Sequence, residues 1–248
     1  MTIWIASLLS VSAVSLVSLV GVMALTVRQD RVQRITLYLV SFAAGGLFGD
    51  ALIHLLPESF ARNGPSLSDS LLVIAGILIF FVLEKVLRWR HCHVPVSDRH
   101  VHPVVAINLV SDALHNFIDG ALIGASYLVS LPIGVTTTVA VILHEIPQEI
   151  GDTGVLAHGG LPIRRVILFN FLSGLVAVLG TILVLAVGPY FGNLVQAMLP
   201  VTAGGFLYIA GSDLVPELHH EERLSSSIAQ FGLILLGVGI MALLTLLE

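Results

Sequence analysis

The sequence predicts an all-α polytopic membrane protein with eight transmembrane helices, and three observations lead to that prediction. Apolar residues make up 56% of the 248 residues, and charged residues only 11%. The mean hydropathy of +0.99 exceeds what a soluble domain normally carries. Apolar runs of about 20 residues, the length that crosses a bilayer, recur along the chain. Continuous runs of this length suit helices, which satisfy their backbone hydrogen bonds within one segment.

Eight such runs are predicted, with short connections between them. They cover roughly residues 3–26, 35–57, 69–88, 103–128, 132–157, 163–187, 195–218 and 226–247. Connections this short leave no space for a soluble domain, so residues 1–248 are expected to form a single transmembrane domain. The first run is too long for a signal peptide and lacks positive charge before it, and we expect it to be retained. No nucleic-acid or nucleotide motif occurs, and the single cysteine, Cys92, excludes a disulfide framework.

The basic residues predict the orientation. In an eight-span arrangement, all of the eleven lysines and arginines except Arg62 fall on one side of the membrane. By the positive-inside rule that side is cytoplasmic, and both termini are then extracytoplasmic. Residues 89–102 become a histidine-containing cytoplasmic loop. We expect a multi-pass protein of a cell membrane, either an inner or a plasma membrane.

Two internal echoes predict inverted repeats. The segment AGGLFGDALIHLLPE at 44–58 aligns without a gap with AGGFLYIAGSDLVPE at 203–217, which pairs His54 with Asp213. The two segments belong to spans that run in opposite directions. A weaker echo aligns HNFIDG at 115–120 with HEIPQE at 144–149. Inverted repeats are typical of transporters, although helices rich in Gly, Ala and Leu also resemble one another by chance.

Ligand-type side chains form stripes on the fourth and fifth spans. In the fourth, the helical spacing puts Asp112, His115 and Asp119 on one face, with Asn116 beside them. In the fifth, two pairs at i, i+4 follow the helix, and Asp152 continues the second of them. These pairs are His144 with Gln148 and Glu145 with Glu149. The two helices therefore present facing polar stripes.

The acids in these stripes need a positive partner. An ionised residue at mid-membrane costs about 2.5–3.5 kcal/mol on insertion scales, and neither span contains a lysine or an arginine. The pattern therefore predicts a bound cation. Imidazole and oxygen ligands without sulfur suit zinc and its divalent neighbours better than copper(I) or calcium. For any single residue of the set, a hydrogen bond between helices is the alternative.

Together these features resemble the ZIP (Zrt/Irt-like) family of metal transporters. The resemblance rests on HNFIDG at 115–120, HEIPQEIGD at 144–152, the eight predicted spans and the basic, histidine-bearing loop after the third span. The segments GDALIHLLPE and FFVLEKVLRW are further, less specific matches. In the nearest subgroup the fifth helix reads HExPHExGD, and Gln148 occupies the place of its second histidine.

The resemblance implies uptake of divalent metal into the cytoplasm by a homodimer that is not an enzyme and needs no cofactor beyond the transported metal. Zinc is the expected cargo, with iron, manganese or cadmium as alternatives, because Gln148 puts the usual preference in doubt. The implied site lies between the fourth and fifth helices and is often binuclear. Its first metal would be held by His115, Asp119, His144 and Gln148, and its second by Asn116, Glu145, Glu149 and a shared Asp119. The sixth helix supplies only Asn170 and Ser173, so the second site is expected to be weaker or incomplete.

Polar residues outside these two sets are candidate relay positions for the ion. They are His54, Asp112, Asp152 and Asp213 within the spans, and His91 and His93 in the loop. A solvated loop without a role in metal binding explains the irregular histidine spacing equally well. The segment HHEE at 219–222 has two similar interpretations, either as a place that receives metal leaving the pore or as a polar helix end.

Two other classes of protein remain as alternatives. An intramembrane metalloprotease is suggested by HEIPQ, which begins like HExxH, but its second histidine is missing and a proline disturbs the helix. A proton-coupled carrier or a channel not specific for metal would use the same acids and histidines as a proton relay. Binding of metal to the folded protein would separate both alternatives from a metal transporter.

Overall fold

A computed structural model of the chain describes residues 2–24, 29–63, 66–88, 103–158, 160–190, 192–219 and 223–247. These residues form helices and short connections, and no strand occurs among them. We number eight helical units in chain order. Four of them are single long helices, namely α3 (Leu67–Arg88), α4 (Pro103–Val129), α5 (Leu131–His158) and α6 (Ile163–Val187, followed by a 3-10 turn at Gly188–Tyr190).

The other four units are interrupted or extended. Unit α1 is Thr2–Val17, continued by Val20–Ala24, and α8 is Leu224–Leu244, continued by a 3-10 turn at Thr245–Leu247. Unit α2 begins as Gln29–Gly49, passes through a π-helical segment at Asp50–Leu55 and ends as Leu56–Asn63. Unit α7 has the same construction, with Gly192–Tyr208, a π-helical segment at Ile209–Leu214 and Val215–Leu218.

Six helices of the described chain are long and apolar enough to cross a membrane. They are Thr2–Met23, Ile35–Ala61, Leu67–Lys85, Ile163–Tyr190, Ala197–Leu218 and Leu224–Leu244. The fold is therefore an all-α, multi-pass membrane fold, as the sequence predicts. Helices α4 and α5 have 27 and 28 residues, which is sufficient length for a span, but they carry the polar stripes. The count of eight spans and the extracytoplasmic position of both termini stay predictions.

The units pack in two sets. Helix α4 packs against α5 and α6, and α1 packs against both α5 and α6. In the other set, α2 packs against α8 and α3 packs against α7. Helix α5 also contacts α2, which joins the sets, and a tight turn at Ser130 connects α4 with α5. Between α5 and α6 the chain turns at Gly160, whose φ of 92° lies in the left-handed region that favours glycine.

The π-helical segments confirm the stronger of the two sequence echoes as a structural repeat. The register that aligns residues 44–58 with 203–217 also aligns Asp50–Leu55 with Ile209–Leu214. In each unit a proline follows shortly after the π-helical segment, at Pro57 and at Pro216. Because proline has no N–H and its ring clashes with the preceding turn, a wider turn before it relieves the mismatch.

Close helix crossings repeat in the same register. A Cβ atom on Gly45 of α2 would meet the carbonyl oxygen of Ile234 in α8, and one on Gly204 of α7 would meet that of Val73 in α3. The reciprocal contacts come from Gly237 of α8 and Gly76 of α3. Their Cβ atoms would meet the carbonyl oxygens of Phe42 and Val201, respectively. Thus α2 packs on α8 as α7 packs on α3, since small residues let membrane helices approach closely.

Candidate metal centre

Four donor groups converge where α4 and α5 face each other. One ligand atom from each of His115, Asp119, His144 and Glu145 can be chosen so that all lie within 4.8 Å of one another. Nε2 of His144 is 3.0 Å from Oδ2 of Asp119 and 3.3 Å from Nε2 of His115. Oε1 of Glu145 lies 3.4 Å from Nε2 of His115. We refer to these four residues as the donor cluster.

The local sequence explains this convergence. His115 and Asp119 are one turn apart on α4, so their side chains lie on the same face. His144 and Glu145 are neighbours on α5, and the antiparallel packing of the two helices brings them to the same depth. His144 is held further by its own helix, because its Nδ1 lies 3.1 Å from the carbonyl oxygen of Ala140.

The contact with Ala140 orients the ring of His144. A carbonyl oxygen only accepts hydrogen bonds, so Nδ1 of His144 donates to it. Nε2 of the same ring faces a carboxylate oxygen of Asp119 at 3.0 Å. An imidazole nitrogen and a carboxylate oxygen this close attract a proton or a metal cation to the space between them.

The donor cluster is enclosed by apolar and aromatic side chains. The side chains of Asp119, His144 and Glu145 are at most 2% exposed, whereas His115 retains 19%. Phe80 of α3 contacts the ring of His115, and Phe206 of α7 contacts that of His144. Low local polarity strengthens the interaction of a bound cation with its ligands.

The residues predicted for a second metal have different contacts from one another. Asn116 donates from Nδ2 to the carboxylate of Asp112 at 2.8 Å and to its backbone carbonyl at 3.1 Å. Glu145 joins the donor cluster instead of standing apart from it. Glu149 is fully buried, and neither of its carboxylate oxygens has a hydrogen-bond partner within the described residues. Gln148 is half-buried one turn beyond His144.

The polar residues of α6 are also buried near α5. Asn170 is 0% exposed and donates from Nδ2 to Oγ1 of Thr153 at 2.7 Å. Asp152 accepts a hydrogen bond at 2.6 Å from Nδ2 of Asn108, a residue that the stripe analysis did not include. Asn108 is one turn before Asp112 on α4, so extending the helical stripe backwards by four residues identifies it.

The relay candidates outside α4 and α5 lie in the repeated π-helical segments. His54 is 1% exposed, and its Nε2 donates to the carbonyl oxygen of Met241 in α8 at 2.8 Å. Asp213, its counterpart in α7, is half-buried. The structure thus places neither residue in the donor cluster. His91 and His93, the rest of the loop 89–102, and His220, Glu221 and Glu222 lie outside the described residues.

Sequence reasoning did not identify Phe80 and Phe206 as parts of the site. Both are buried, at 7% and 0% exposure, and they lie on α3 and α7, outside the two helices that carry the ligands. Their ring centroids lie 6.4 Å and 6.1 Å from those of His115 and His144. No spacing rule along the chain connects them with the histidines, so only the packing of helices identifies them.

The sequence is similar to a known family and to several known proteins. The sequence profile of a family described as ZIP Zinc transporter matches residues 1–104 and 91–245. The chain is 34% identical over 250 residues to Zinc transporter ZIP13 of Mus musculus, covering 84% of this chain and 69% of that protein. It is 30% identical over 278 residues to Zinc transporter zipt-7.1 of Caenorhabditis briggsae, covering 85% and 71%, respectively. Zinc transporter ZIP13 of Homo sapiens is 34% identical over 260 residues, with 84% and 70% covered.

Proposed function

The chain belongs to the ZIP zinc transporter family, and we propose that it carries divalent transition metal, zinc foremost, into the cytoplasm through the donor cluster between α4 and α5. Members of this family are metal transporters and not enzymes, and this chain is accordingly a multi-pass membrane protein that transports metal. The identity of the metal, the direction and the ligands are the proposed parts.

The observation that carries this proposal is the convergence of two imidazole nitrogens and two carboxylate oxygens within 4.8 Å. Four such donors around one point match the number and the types of ligand that zinc takes in proteins. Uncompensated charge on buried acids is costly, and a bound metal cation would neutralise the two carboxylates. His115, with 19% of its side chain exposed, is the most accessible of the four donors.

The ligand types also support a broader range of cargo. Two carboxylates with two imidazoles suit iron(II), manganese(II) and cadmium(II) as well as zinc, because no thiolate selects a softer ion. Gln148 extends the site along α5, where its amide oxygen is a neutral ligand for the same metal. An amide in place of an imidazole favours harder ions relative to zinc. We therefore propose zinc transport with relaxed selectivity.

A second metal position would use the acids further along the two helices. The family resemblance implies Asn116, Glu145 and Glu149 as its ligands, and the buried carboxylate of Glu149 supports a cation near that place. Asp112 and Asp152 are its acidic neighbours and form the next step for an ion that leaves the donor cluster. With only Asn170 and Ser173 on α6, this second position is proposed as the weaker one.

The position of the basic residues determines the proposed direction of transport. With the basic face in the cytoplasm, α4 runs outward and α5 inward, so Asp112, Glu149 and Asp152 lie on the cytoplasmic side of the donor cluster. Metal would reach the donor cluster from outside and leave past these acids, with His54, Asp213, His91 and His93 as relay positions. We propose a homodimer in an inner or plasma membrane as the working form.

The two alternative classes receive no support from the site. A metalloprotease needs a water on its metal and a carboxylate free to act as general base. Here Oε1 of Glu145 lies in the donor cluster itself, 3.7 Å from Nε2 of His144. A proton-coupled carrier that does not bind metal has no need for four donors at one point. Membership of a family of metal transporters favours neither alternative.

The test is metal uptake by cells that produce the full chain or its variants. His115→Ala and Glu145→Ala each remove one donor and should reduce zinc uptake to near background, since the remaining buried acids lose part of their neutralising partner. Glu217→Ala is the matched control, because Glu217 is an exposed acid near the end of α7. Membrane content of each variant is measured by immunoblot. Zinc uptake at the normal rate in both cluster variants, with normal membrane content, would refute the assignment of the donor cluster.

A further inference from the structure

The two histidines of the donor cluster differ in what holds their rings. Nδ1 of His144 donates to the carbonyl of Ala140, so the orientation of that ring is determined within α5. Within the described part of the chain, the only hydrogen-bonding or ionic contacts of His115 are made by Nε2, the atom that points into the donor cluster. Among the described residues, no hydrogen bond therefore orients the outer edge of the His115 ring.

An aromatic contact with Phe80 restrains the ring of His115 instead. The ring of Phe80 lies 6.4 Å from the ring of His115, centroid to centroid, at an interplanar angle of 88°. This edge-to-face geometry is a favoured arrangement of aromatic pairs. A rotation of His115 about its side-chain bonds would break the contact and turn Nε2 away from Asp119 and Glu145.

The position of Phe80 is itself determined by the adjacent helix. A Cβ atom on Gly205 of α7 would lie 2.8 Å from Cδ2 of Phe80 and closer still to Cε2. A side chain at 205 would therefore displace the Phe80 ring from its present position. Phe80 is 7% exposed, whereas its neighbour Phe81 is 44% exposed and contacts Tyr208 of α7 and Lys85 of α3. The two adjacent phenylalanines thus differ in exposure and in the side chains that they contact.

We propose that Phe80 is a positioning residue of the metal site, which holds His115 in the orientation that its Nε2 needs to bind the ion. Phe80 belongs to the α2, α3, α7 and α8 set, whereas the ligands belong to the set of α4 and α5. The contact therefore makes metal affinity depend on how the two sets are packed against each other. This inference rests on the proposed function of the donor cluster.

The experiment is a titration of the purified full chain with Co²⁺, a spectroscopic substitute for zinc, read from its visible absorption. Phe80→Leu keeps an apolar side chain but removes the flat ring. It should raise the Kd for Co²⁺ about tenfold, as changes to groups that orient a metal ligand do. Its absorption band should also change shape, because one ligand is no longer held in place. Phe81→Leu, one position along the same helix, should leave the Kd within about twofold of the original.

A double-mutant cycle separates positioning from general packing. If Phe80 acts through His115, then Phe80→Leu added to His115→Ala should change the Kd by less than about twofold. Phe206→Leu should raise the Kd less than Phe80→Leu, since Ala140 already orients His144. Gly205→Ala, which pushes the Phe80 ring without replacing it, should weaken Co²⁺ binding in the same direction and provides a second variant if Phe80→Leu folds poorly.

Two results would overturn the role of Phe80, and both can be distinguished from results that would refute the donor cluster itself. An unchanged Kd in both Phe80→Leu and Gly205→Ala would show that the ring does not position His115. An equal loss of affinity with and without His115 would show that Phe80 only supports the packing. If the unsubstituted chain bound no Co²⁺, or if His115→Ala bound it equally well, the donor cluster itself would be refuted, and the inference with it.

Discussion

The crossing of α2 and α8 provides a sharp test of the packing, because two glycines of α8 differ only in their surroundings. A Cβ atom on Gly237 would lie 2.8 Å from the backbone nitrogen of Gly46 and closer still to the carbonyl oxygen of Phe42. A Cβ atom on Gly239 would meet no atom within 4 Å. The perturbation is therefore Gly237→Ala, and the matched control is Gly239→Ala.

The expected difference in stability follows from these distances. Ordinary carbon–oxygen contacts are about 3.3–3.6 Å, so Gly237→Ala forces the two backbones apart by a substantial part of an ångström. Overpacking of this kind costs about 1–3 kcal/mol. Both substitutions gain the same helix propensity, about 1 kcal/mol for alanine over glycine. The difference between the variants therefore isolates the steric cost of the crossing.

The assay is thermal unfolding of both purified variants in the same detergent. At about 2–4 °C per kcal/mol for a chain of this size, the Tm of Gly237→Ala should lie about 2–12 °C below that of Gly239→Ala. The repeat predicts the same loss for Gly76→Ala, since Gly76 makes the corresponding contact with Val201 in α7. Equal Tm values for the two α8 variants would show that α2 and α8 do not approach closely at Gly237.

Two further predictions concern selectivity and orientation. Gln148→His adds an imidazole and should narrow the competition profile of uptake in favour of zinc over manganese and iron; an unchanged profile in a competition assay would mean that Gln148 does not bind the metal. In a Cys92→Ser background, Ser66→Cys should react with an impermeant thiol reagent in intact cells and Ser97→Cys should not, because positive residues place the loop of Ser97 in the cytoplasm; the reverse labelling pattern would reverse the proposed direction of transport.

The fold class and the ligand-bearing helices could be predicted from sequence because both depend on local regularities. Hydropathy over about 20 residues identifies a helix that suits a bilayer, and the spacing of His115 and Asp119 places them on one face whatever lies opposite. The gapless echo between residues 44–58 and 203–217 likewise predicted a repeat, which the matching π-helical segments confirm. Family membership follows from the same local motifs.

The tertiary structure decided which of those residues meet. Helical spacing cannot predict the rotation and depth at which α4 faces α5, and that packing brings His144 and Glu145 to His115 and Asp119. Contacts between remote segments were equally beyond the sequence, such as His54 with the carbonyl of Met241. Phe80 is the clearest example, because its approach to His115 depends on a slot left by a glycine on a third helix. Periodicity along one helix specifies a face, whereas the neighbours of that face depend on how all the helices pack together.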